Sequence, residues 1–126
     1  MRRHITLAAV AFCFACDRDV TIVCTAIGCE GELTVEIQDA PPGPITVQVT
    51  PPGPPGPVRT AACPDTSGCT NTVRFAPVAP GRTRFTVTTI AGTRQWDVTP
   101  TYTTIQPNGP KCGPICRYAH VRLRWQ

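Results

Sequence analysis

A chain of 126 residues with a formal charge of +4 has room for one domain and too little positive charge to argue for a nucleic-acid partner. Its 15 prolines and 10 glycines disfavour helix over most of its length. No apolar run reaches the ~20 residues that a helical membrane span requires.

The chain opens "MRRHITLAAVAFCFACDRD". Arg2 and Arg3 precede an uncharged apolar stretch from Ile5 to Ala15, which ends at Cys16 and turns charged at Asp17. A basic start before a short apolar core is the pattern of an export signal. The ending at Ala15-Cys16 resembles the lipobox of bacterial lipoproteins, although Cys13 stands where that family usually has Leu. The resemblance implies that Cys16 receives a lipid and becomes the first residue of the mature chain. The expected organisation is a signal peptide over 1–15, an anchor and short tether over 16–20, and one domain over 21–126. The partner is then a membrane reached through the lipid, with the domain in the bacterial cell envelope outside the cytoplasm. The competing readings are an ordinary cleaved signal and an N-terminal helix buried in the domain. Loss of Arg2 and Arg3 lowers the charge from +4 to +2.

Beyond Cys16 six cysteines remain, as three close pairs: Cys24 and Cys29, Cys63 and Cys69, Cys112 and Cys116. In an exported chain this reads as a disulfide framework. The spacing favours local bridges, each pinning a loop with Gly or Pro and each stabilising by at most ~2–3 kcal/mol. Zinc is the rival, disfavoured by export and by the scarcity of His. No metal and no cofactor are expected.

The strands follow in order. "TIVC" (21–24) reads as the first. "ELTVEIQ" (32–38) alternates strictly, with Leu33, Val35 and Ile37 on one face, and "ITVQVT" (45–50) does so with Ile45, Val47 and Val49. Residues 51–71 read as loop, including the stiff "PPGPPGP" and the cysteine-closed "CPDTSGC"; only a weak strand, "TVRF" (72–75), follows. "RFTVTTI" (84–90) carries Phe85 and Val87 inward. "RQWDVTPTYTTI" (94–105) carries Trp96, Val98 and Tyr102, interrupted by Pro100. "CRYAHVRLRW" (116–125) puts Ala119, Val121, Leu123 and Trp125 on one face and Tyr118, His120, Arg122 and Arg124 on the other. Residues 102–105 and 117–125 read as antiparallel neighbours joined by a long loop, in which Asn108 and Gly109 both tolerate positive φ. The expected fold is all-β: a single antiparallel, immunoglobulin-like sandwich of six or seven strands. "FAPVAPGRTRFTVTTIAG" (75–92) resembles the strand, Pro-Gly turn, strand signature of transthyretin-like (carboxypeptidase-regulatory-like) domains. That resemblance implies a sandwich in a structural or accessory role.

Signs of catalysis are few. His120 and Cys116 share one strand face, but four residues of strand separate them by ~13 Å. The carboxylates form no spaced acidic motif, so the expectation is a protein that is not an enzyme. Two surfaces are candidates for binding. The stripe Tyr118, His120, Arg122 and Arg124 is either a charged face that resists aggregation or a contact for anionic headgroups or an acidic glycan. Trp96, Tyr102 and Trp125 are a sugar platform in composition but core in phase. The expected function is an anchored structural or interaction module. The alternative is a soluble secreted binding module for a glycan or protein, using the 51–71 loop or the 106–117 hairpin loop. A weaker third reading is an inhibitor-like scaffold that presents "PNGPKCGPIC".

Overall fold

The computed structural model describes residue 24 and residues 26–53, 56–64 and 70–126. The signal segment, the anchor Cys16, the tether and residues 21–23 of the expected first strand lie outside them, and Cys24 itself is not in a strand.

Among the described residues eight strands form: β1 (Glu32–Gln38), β2 (Ile45–Thr50), β3 (Arg59–Cys63), β4 (Thr72–Phe75), β5 (Thr83–Thr89), β6 (Gly92–Val98), β7 (Thr103–Ile105) and β8 (Cys116–Arg124). They make two four-stranded sheets, ordered β4-β1-β8-β7 and β3-β2-β5-β6. The result is an all-β sandwich. Strict alternation places its core: Leu33, Val35, Ile37, Ile45, Val47, Val49, Phe85 and Val87 are each at most 2% exposed. Burying side chains of this size stabilises by roughly 1.5–3 kcal/mol each. Ala119, Val121 and Leu123 of β8 complete the core beside β1, in the register Leu33↔Ala119, Val35↔Val121, Ile37↔Leu123.

The aromatic set packs as its phase requires. Trp125 is buried, and Trp96 and Tyr102 pack partly buried against the core. The two tryptophan rings lie 6.1 Å apart, with the Arg94 guanidinium 4.8 Å from the Trp125 ring. Val78 donates its amide to the Tyr102 hydroxyl at 3.0 Å, which gives the half-buried phenol its polar partner.

Three expectations are corrected. First, the 51–71 stretch contains β3, which pairs with β2 along its length. Its inward residues, Ala61 and Cys63, are small and sit opposite Val47 and Ile45, so no large alternating side chains announce it. Second, the sandwich is not wholly antiparallel. β1 and β8 pair in parallel at the centre of one sheet, and the rest of the domain serves as the long crossover such a pair needs. Third, among the described residues the strands number eight, against the six or seven expected, with β1 and β2 in different sheets.

Candidate functional site

Because β1 and β8 are parallel neighbours, the chain enters both at the same end of the sandwich. The segment before β1 and the loop before β8 are fastened together there. Cys24 is bonded to Cys112 and Cys29 to Cys116, with Cα–Cα distances of 5.6 and 6.0 Å. These bridges replace the local pairs Cys24–Cys29 and Cys112–Cys116 that sequence spacing favours. Cys63 is disulfide-bonded too; its partner, like the expected Cys69, lies outside the described residues.

Asn108 reinforces this clamp. Its Nδ2 donates to the carbonyls of Ile27 and Gly113, both at 2.8 Å, and its Oδ1 accepts from the Ile27 amide at 3.1 Å. One side-chain amide thus pairs with a backbone residue 81 positions away, as a neighbouring strand would. The loop is built to present it. The Gly109 amide closes a turn onto Gln106 at 3.1 Å with Pro107 inside it, and the Cys112 amide closes a second onto Gly109 at 3.1 Å. Of the two residues that tolerate positive φ in this turn, Gly109 takes it, at 94°, and Asn108 serves through its side chain. Gly31 makes the approach to β8 feasible: a Cβ there would lie 2.5 Å from the Arg117 carbonyl oxygen and 2.6 Å from Pro77 Cγ. Cys116 shares the strand parity of Tyr118 and His120, yet it is buried and bonded to Cys29, so its thiol is not available to His120.

The stripe on β8 is brought against β1 in the register Glu32↔Tyr118, Thr34↔His120, Glu36↔Arg122, Gln38↔Arg124. Its cations meet carboxylates. Glu36 Oε2 lies 3.0 Å from His120 Nε2 and accepts from Arg122 Nε at 3.3 Å, while Arg124 Nε is 3.4 Å from Asp39 Oδ2. Glu32 Oε1 accepts from Thr34 Oγ1 at 2.8 Å and lies 3.6 Å from Arg74 Nε. Arg74, Arg122 and Arg124 are thereby matched by Glu32, Glu36 and Asp39. An anionic headgroup or acidic glycan would have to compete with carboxylates already in place. The stripe also divides. Tyr118 and His120 line an open hollow of about 470 Å³ with Glu32, Thr34, Thr103 and Ile105, whereas Arg122 and Arg124 lie outside it. The hollow offers hydroxyls, a phenol, an imidazole and the Glu32 carboxylate, a set suited to hydrogen-bonding a hydroxyl-rich ligand without negative charge. A larger opening of about 620 Å³ between β3 and β4 is lined by Ala61, Thr72 and Arg74.

On the other sheet Arg84 and Asp97 face each other across β5 and β6 and bond bidentately at 2.9 and 3.1 Å. The hydrogen bond from Arg84 holds the Asp97 carboxyl below its ordinary range; desolvation opposes this, and the charges of Arg84 and Arg82 add to it. The same bond raises Arg84. Among the described residues no three His, Cys, Asp or Glu side chains group as metal ligands, and no helix is long and apolar enough to cross a membrane.

No family model matches the chain, nor does any curated protein or solved structure. Sequence reading missed the roles of Gly31, Glu36 and the Asn108 side chain. Gly31 carries a local signal, since it immediately precedes a strict alternating strand. The other two depend on pairing between residues more than eighty positions apart.

Proposed function

We propose that the chain is a bacterial envelope lipoprotein: Cys16 carries the lipid, and the sandwich acts outside the cytoplasm as a non-catalytic structural or interaction module. The observation that carries this reading is the double disulfide clamp. Disulfides persist in oxidising compartments. These two fasten the part of the domain nearest residue 16 to the loop that leads into the central strand β8. A pull from an anchor at residue 16 is then borne by covalent bonds. The finer fold reading is transthyretin-like. The Pro80-Gly81 turn leads into β5 with Gly81 at φ 133°, Phe85 and Val87 point inward, and Gly92 at φ 120° opens β6, as the resemblance implies.

The test is growth with a radioactive fatty acid. Wild type is expected to incorporate label and to enter the detergent phase of a Triton X-114 split. Cys16→Ser is expected to do neither and to appear in the soluble fraction. Wild type in the aqueous phase with a free Cys16 thiol would show the anchor reading to be wrong.

The second reading is a soluble secreted module that binds a neutral glycan, and the hollow beside Tyr118 favours it. On that reading Tyr118→Ala loses retention on a glycan array that the unlipidated wild type shows. Equal profiles for the two proteins would remove the hollow from the account.

A further inference from the structure

We propose that the clamped end of the domain rests on the bilayer, with Ile27, Val58, Lys111 and Ile115 at the lipid surface. This inference rests on the anchor reading. Five large hydrophobic side chains stand exposed among the described residues: Ile27 (55%), Val58 (54%), Ile90 (72%), Ile105 (46%) and Ile115 (62%). Four of them gather at the clamped end. Ile27 is bonded through its backbone to Asn108. Ile105 is the cross-strand partner of Cys116, and Ile115 precedes that cysteine. Val58 precedes Arg59, whose guanidinium donates to the carbonyls of Ala76 and Pro77 at 2.8 and 3.2 Å, and Pro77 is the residue a Cβ on Gly31 would strike. The fifth, Ile90, lies at the opposite end, in the β5–β6 turn beside Gly43. Scattered single exposed hydrophobics need no explanation, but a set gathered on one end does.

The tether decides what covers that end. Cys24 belongs to the clamp and stands eight positions after Cys16, with seven residues between them. Eight positions span at most ~29 Å whatever their conformation. The clamped end is therefore held within ~29 Å of the lipid attachment, whereas the far end lies a further length of β8 along the domain, about 30 Å for its nine residues. Lys111, exposed in the same loop, adds a cation that suits anionic headgroups, with the exposed carboxylate of Glu30 beside Cys29 at the same end. A soluble partner would have to enter a gap no wider than the tether, whereas the bilayer is already there.

The experiment uses the protein purified from membranes and reconstituted into phosphatidylethanolamine–phosphatidylglycerol vesicles whose acyl chains carry bromine, a contact quencher of tryptophan. Ile115→Trp, Val58→Trp and Ile90→Trp are compared after subtracting the wild-type signal of Trp96 and Trp125. All three sites are more than half exposed, so the substitutions leave the core untouched. The expected result is quenching at 115 and 58 that exceeds quenching at 90 several-fold. Equal quenching at the three sites, or strongest quenching at 90, overturns the seating while leaving the anchor in place. Failure of wild type to sediment with the vesicles, with Cys16 unmodified, overturns the anchor reading and the seating with it. Glutamate at 27 and 115 together is expected to reduce the quenching at Val58→Trp without releasing the protein; unchanged quenching there would also count against the seating.

Discussion

The two clamp disulfides should act as a coupled pair, and the coupling can be calculated. Each closes a long loop on its own, with sequence separations of 88 and 87 residues. A first bridge of that length lowers unfolded-state entropy by the equivalent of about 4.6 kcal/mol. Once it is in place, the second closes a much smaller ring. That ring runs only from Cys24 to Cys29 and from Cys112 to Cys116, roughly ten residues, and contributes about 2.7 kcal/mol. Removing either bridge alone, as Cys24→Ala/Cys112→Ala or as Cys29→Ala/Cys116→Ala, should therefore cost about 2.7 kcal/mol. Removing both should cost about 7 kcal/mol, more than twice the single loss and comparable to the whole stability of many domains this size. Urea denaturation followed by the fluorescence of Trp96 and Trp125, both packed at the core, reads each value. A fourfold alanine variant that loses no more than the two single losses added together would refute the reasoning. It would mean that the bridges constrain separate small loops.

Gly31→Ala should cost about 1–3 kcal/mol in the same assay, because the atoms its Cβ meets include the backbone of β8, which cannot swing aside; a neutral result would mean that the segment before β1 does not lie against Arg117. Asn108→Ala should cost about 1–2 kcal/mol and speed hydrogen exchange at the Ile27 amide, with little change at the amides of β2 and β5. Asp97 has a folded pKa below its unfolded one, so its contribution is present above about pH 4 and lost as pH falls through the folded value. Asp97→Asn should therefore flatten the loss of stability on acidification below about pH 4, and an unchanged acid profile would count against the Arg84 bond as its cause.

The fold was legible where one residue in two is large and apolar. The runs 32–38, 45–50 and 72–75 coincide with β1, β2 and β4, since strict alternation fixes both face and extent. β3 was not legible, because Ala61 and Cys63 fill the narrow space opposite Val47 and Ile45 without the bulk that marks a strand. The clamp was illegible for a different reason. Local cysteine spacing says which residues are near in sequence, whereas the parallel pairing of β1 with β8 decides which loops share an end. The same pairing places Glu36 beside His120 and Arg122, and so turns a stripe that reads as cationic into a matched one. The placement of Tyr118 and His120 on the outer face could be read from strand parity; the hollow they share with Thr103 and Glu32 could not.

The most direct test of the central claim is the mass of the intact protein extracted from the membranes of its own cells, taken before and after reduction. The account predicts a chain beginning at Cys16 and carrying a diacylglyceryl thioether. It predicts a gain on reduction equal to three disulfides, among Cys24, Cys29, Cys63, Cys69, Cys112 and Cys116. A chain that begins elsewhere with no lipid, or one whose mass reduction leaves unchanged, would contradict it.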